Sequence, residues 1–115
     1  MALPPPPSGD TPLAPYRHIV LFRFANDASP AAIANLKTAF RALVTSLGAL
    51  VLTFEAGVNV NDEGLDGGLT DIFFMSFADA ASFEAYKMHP EHVAFVKSLE
   101  GVVAQATVLD WTSSA

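Results

Sequence analysis

The run Arg17–Ala25, RHIVLFRFA, sets apolar residues on both faces that a strand presents: His18, Val20, Phe22 and Phe24 point one way, Ile19 and Leu21 the other. Such a strand is covered on both sides. Ser29 before Pro30 is a helix start, a cap residue followed by proline at the first helical position. Ile33, Leu36, Phe40, Leu43, Val44 and Leu47 then recur at helical spacing up to Gly48, which stops the helix. A second strand over Leu50–Val60, a Gly/Asn/Asp-rich loop over Asn61–Gly68 and a third strand over Leu69–Phe77 follow. Asp79 caps a short helix carrying Phe83 and Tyr86 on one face, and His89–Pro90 interrupts it. In the next helix His92, Phe95, Val96 and Leu99 form one stripe, Gly101 ends it, and Val102–Trp111 is the fourth strand.

The order β-α-β, β-α-β resembles two halves of a split βαβ unit, and it folds most simply into one antiparallel four-stranded sheet with all helices on one face. This is an α+β, ferredoxin-like architecture. The third strand opposes Phe73, Met75 and Phe77 to Ile72 and Phe74, so the face away from the helices is also apolar. A bare apolar sheet face is a protein contact by default, and a two-fold copy is the commonest cover. A homodimer through the open sheet face is therefore expected.

Composition sharpens this. The chain has 115 residues, of which 51% are hydrophobic, with a formal charge of −6 and only six basic residues, so a phosphate-backbone partner is excluded. There is no cysteine, hence no disulfide and no thiol nucleophile. Residues 1–15 contain four consecutive prolines and read as a disordered, polyproline-rich tail without the layout of a secretory signal; residues 112–115 form a short C-terminal tail. No apolar run is long enough to cross a bilayer, and a cytoplasmic location with no membrane partner is expected.

Three histidines are candidates for chemistry. His92 shares an apolar stripe and lies in the first turn of its helix; burial and the helix N-terminus both lower an imidazole's pKa, which suits a general base. Tyr86, just before the break, has a hydroxyl able to donate to a carbonyl or an oxyanion. The same spacing also fits a tyrosine and a histidine satisfying each other in the core. His18 points between sheet and helices if its face is the inner one. A strand histidine is more often packed and hydrogen-bonded than catalytic. His89, before Pro90, reads as a cap. A three-histidine zinc site would need His89 and His92 to point together across a proline break with His18 far off in sequence, so no metal is expected. The acidic loop with Asp62, Glu63 and Asp66 lacks calcium-loop spacing and reads as a solvated turn.

Three segments, HIVLFRF over His18–Phe24, DIFFMSF over Asp71–Phe77 and YKMHPEHVAF over Tyr86–Phe95, resemble the stress-response A/B barrel (Dabb) family of dimeric α+β barrels over residues 16–111. The last segment matches that family's Tyr-x-x-His-Pro-x-His block. The resemblance implies an apolar pocket walled by Val20 and Phe22, Phe40, Asp71 and Phe73, and Phe95. Within it His92 stands at the position of the general base of a plant polyketide cyclase of the family, Tyr86 at its partner and His18 at a pocket histidine. That cyclase performs an aldol closure without metal or cofactor. Asp71 stands where it has a further histidine, which changes the charge of the pocket. The implied functions are cofactor-independent aldol-type or proton-transfer chemistry on a small apolar carbonyl compound, a non-catalytic stress-protective or ligand-binding dimer, or a cofactor-free monooxygenase.

Overall fold

A computed structural model describes residues 15–112. The expected tails, apart from Pro15 and Thr112, lie outside the described residues. The elements in chain order are β1 (Tyr16–Phe24), α1 (Pro30–Ser46), β2 (Val51–Val58), β3 (Asp71–Phe77), α2 (Ala80–Met88), α3 (Pro90–Ser98) and β4 (Val103–Trp111). The sheet order is β2-β3-β1-β4 and every pairing is antiparallel. β2 is two residues shorter at its C-terminal end than the patterning suggests, and β3 begins two residues later; the Asn59 amide still donates to the Thr70 carbonyl, while the Asn59 side chain accepts from the Asn61 amide and donates to Asp66 and the Leu69 carbonyl, turning the chain into the loop.

Local chemistry sets the helix ends. The Ser29 hydroxyl accepts from the Ala32 amide at 3.0 Å and Pro30 opens α1, while the Asp79 carboxylate accepts from the Ser82 amide at 2.8 Å to open α2. Both caps occupy donors that the first helical turn leaves without partners. Gly101 takes the left-handed conformation, φ +81°, that ends the α3 segment and turns the chain into β4. Gly48 follows the Leu47 C-cap and so ends α1 as expected, without a positive φ; a Cβ there would lie 3.2 Å from the Thr45 carbonyl oxygen. Glycine is present for close approach.

One face of the sheet carries His18, Val20 and Phe22 from β1 and Phe73, Met75 and Phe77 from β3, all buried against the helices. The α1 stripe meets them through Phe40, whose ring stacks on Phe73 at 4.4 Å and packs against Phe22, Phe54 and Phe95. Aromatic pairs of this kind add about 0.5–1.5 kcal/mol each beyond area burial. The opposite face has no helix. It presents Ile19, Ile72, Phe74, Leu109 and Trp111, half-buried or exposed, around a shallow hollow. Among the described residues no helix is long and apolar enough to cross a membrane.

Candidate active site

A cavity of about 360 Å³ lies between the sheet and the helices. Its floor is the inner side of β1 and β4: His18, Val20 and Phe22 line it, and the register sets Asp110, Val108 and Ala106 directly beside them. The roof is Phe83 and Tyr86 from α2 with His92, Phe95 and Leu99 from α3, and Phe40 of α1 closes one end. Period-two alternation on the strands and period-3.6 spacing on the helices thus aim residues distant in sequence into one apolar space.

The break between α2 and α3 positions His92. In an unbroken helix the Lys87 carbonyl would accept from the amide of residue 91. Pro90 interrupts the helix, and the Glu91 amide instead donates to the His89 Nδ1 at 3.1 Å. The freed Lys87 carbonyl accepts from His92 Nδ1 at 2.9 Å. A carbonyl only accepts, so the proton is on Nδ1 and the neutral ring keeps its lone pair on Nε2. Burial holds the His92 pKa below its ordinary value of 6.5; the nearby His18 adds to that, and the Lys87 hydrogen bond opposes it. The ring packs on Tyr86 with centroids 4.7 Å apart.

His18 is oriented in the same sense by a different partner. Its Nδ1 is 2.5 Å from Asp110 Oδ1, and the other Asp110 oxygen accepts from the Tyr16 hydroxyl at 2.6 Å. The carboxylate thereby fixes the His18 tautomer and leaves Nε2 without a hydrogen-bond partner among the described residues. Tyr16 stacks on Phe83 at 4.6 Å. Partial burial and Asp110, through both its hydrogen bond and its charge, push the Tyr16 pKa up to about 12.

Tyr86 is 1% exposed, and burial raises its pKa well above the usual phenol range. Its hydroxyl makes no hydrogen bond to any described residue, yet no described side-chain polar atom is both sealed off and unpartnered. The hydroxyl therefore opens onto the cavity. Tyr86 and His92 touch through their rings and do not satisfy each other.

The structure thus brings His18, Val20, Phe22, Phe40, Tyr86, His92 and Phe95 to one cavity, and it places Asp71 and Phe73 elsewhere. Asp71 pairs with Phe22 at the far end of β1, and its carboxylate is drawn 2.7 Å from Lys37 Nζ, away from the histidines. Phe73 stands behind Phe22 and Phe40 as a second layer. The residues that the local pattern did not reveal are Asp110 and Tyr16. The one visible signal was a carboxylate within the otherwise apolar run Val108–Trp111. Among the described residues no three His, Asp or Glu side chains converge in metal-holding geometry, and the His89 nitrogen is occupied as a cap.

Fold and cavity together define a ferredoxin-like α+β domain with an internal, histidine-bearing apolar pocket. The family described as the stress responsive A/B barrel domain matches residues 16–113, and the chain belongs to that family. It is 30% identical over 97 residues to the stress-response A/B barrel domain-containing protein HS1 of Arabidopsis thaliana, covering 84% of this chain and 88% of that protein. Among solved structures it is similar to the hydroxynitrile lyase from Passiflora edulis, with a TM-score of 0.80 at 19% identity over 90% of this chain and 96% of that one. A dimeric ferredoxin-like protein from Thermobifida fusca matches with a TM-score of 0.70 at 24% identity, covering 87% and 92%. At these identities the two structures share its fold.

Proposed function

We propose that the cavity binds a small, largely apolar carbonyl compound and catalyses cofactor-independent proton transfer on it, of the aldol or reverse-aldol type. One observation carries this reading: two imidazoles with Nδ1 tied to the protein, and a buried phenol hydroxyl without a partner among the described residues, face the same apolar space. His92 Nε2 removes the proton α to the carbonyl while the Tyr86 hydroxyl donates to the oxygen on which charge develops. The enolate carbon then attacks a second carbonyl carbon, the π pair of that C=O moves onto its oxygen as the new C–C bond forms, and the imidazolium returns its proton to the resulting alkoxide. In reverse, the base takes a hydroxyl proton and the C–C bond breaks. A fold neighbour, at 19% identity, is itself named for an enzymatic activity, that of a hydroxynitrile lyase. The protein acts as a homodimer, since Ile19, Ile72, Phe74, Leu109 and Trp111 leave an apolar sheet face that a second copy would cover, and a fold neighbour is dimeric.

The test is α-proton exchange in D2O, followed by proton NMR on aryl and alkyl methyl ketones and 1,3-diketones. Wild-type protein accelerates exchange over buffer, and His92→Ala lowers it by about 10²–10⁴-fold, the usual contribution of a positioned base. Saturable binding of these ketones with exchange at the buffer rate would make the cavity a ligand-binding site without catalysis.

A further inference from the structure

On the other side of the aromatic layer Phe22–Phe40–Phe73, a second groove of about 200 Å³ opens between α1 and the β2–β3 end of the sheet. Phe54 and Phe73 give it aromatic walls, and Lys37 and Arg41, one helical turn apart, line it from α1. The two cations differ in what they hold. Lys37 is committed to Asp71 at 2.7 Å, and that carboxylate also accepts from the Thr70 hydroxyl at 2.8 Å, so Lys37 and Asp71 cancel. The exposed Arg41 has no carboxylate partner among the described residues; its guanidinium rests 5.6 Å over the Phe54 ring. The groove therefore carries one uncompensated positive charge in a chain whose formal charge is −6.

We infer that this groove is a binding site for a small planar aromatic carboxylate, distinct from the histidine cavity. A guanidinium already held over an aromatic ring, 5.6 Å from its centroid, presents its planar fork of donors to a carboxylate at reduced entropic cost. The volume suits a single ring with one short substituent. The ring lies against Phe54 and Phe73, and a single free guanidinium matches a monoanion. The face-to-face dimer contact leaves the groove open, since α1 lies on the opposite side of the sheet.

The probe is benzoate, titrated into the full-length protein at low ionic strength with amide NMR shifts and calorimetry as readouts. The shifts centre on residues 37–41 and 54–58, and binding weakens about tenfold in Arg41→Gln, less in Arg41→Lys, and about tenfold for benzyl alcohol, which keeps the ring and loses the charge. Added salt weakens it, and His92→Ala leaves it unchanged. Equal binding by wild type and Arg41→Gln, equal binding of benzyl alcohol and benzoate, shifts confined to the His18–Tyr86 cavity, or no saturation by about 50 mM each overturn the inference. None of these outcomes bears on ketone exchange, so the two sites stand or fall separately.

Discussion

Replacing Tyr86 by phenylalanine separates a core tyrosine from a working one. The substitution removes a single oxygen and leaves the ring contacts with Phe77, Phe83 and His92 in place. A hydroxyl bonded within the core would be missed: its hydrogen bond contributes about 0.5–1.5 kcal/mol, and the abandoned partner costs about 1–3 kcal/mol more. The Tyr86 hydroxyl has no such partner, and keeping a polar group in an apolar cavity is itself unfavourable. Tyr86→Phe should therefore leave stability unchanged or raise it by up to about 1 kcal/mol. For a domain of this size 1 kcal/mol is roughly 4–8 °C in Tm, so thermal unfolding by circular dichroism resolves the sign. Under the proposed reaction the same oxygen would donate to a developing oxyanion, a contact worth about 10²–10³-fold in rate. Ketone exchange should fall by that factor while Tm holds or rises. A Tm lowered by 8 °C or more would refute the reasoning, because it would mean that the hydroxyl is bonded inside the fold.

Other perturbations follow from the same geometry. Asp110→Asn removes the carboxylate that adds to burial in raising the Tyr16 pKa, so a spectrophotometric titration should show one tyrosine falling from about 12 part of the way toward 10, with a stability loss of about 1–2 kcal/mol as the charge-assisted bond to His18 weakens. Because burial depresses the His92 pKa below 6.5, the unfolded chain binds this proton first as pH falls. The stability it contributes is present above the unfolded value and is lost as pH drops through the folded one; wild type should lose more Tm than His92→Asn between pH 7.5 and 5, and exchange should stay flat above about 6.5. Phe40→Ala empties the centre of the aromatic layer and should cost about 3–5 kcal/mol in urea unfolding. Phe74→Glu places a charge on the open face; sedimentation should change from two chains to one, and a wild type that sediments as one chain at micromolar concentration would end the dimer reading.

Where the pattern was local, the fold was legible. The stripe Leu36–Phe40–Leu43–Val44–Leu47 is buried as its spacing implies, and His89–Pro90 breaks the helix and caps the next one. Tyr86 and His92 reach one cavity because six residues of chain and one break fix their relation. Asp110 was illegible because its partner His18 is 92 residues away; register between strands is set by the whole sheet, and no window of sequence carries it. The distance of Asp71 from the histidines has the same origin. The resemblance put it in the pocket wall; the structure has it on the inner face, but position along the strand, together with the pull of Lys37, decides which end of that face it serves.

The helix break makes the site a matter of chain length as much as of side chains. The acceptor that orients His92 is a backbone carbonyl, so no substitution at Lys87 other than one that bends the chain can remove it. Conversely, changes that mend the helix, such as Pro90→Ala together with His89→Leu, would return the Lys87 carbonyl to an amide and leave the imidazole free to choose either tautomer, with every residue lining the cavity untouched. One residue inserted between Tyr86 and His92 would swing the ring about 100° around the helix axis and out of the pocket. A change of residue type in the cavity wall alters what fits the space, whereas a change of residue number between Tyr86 and His92 alters whether the ring faces it at all.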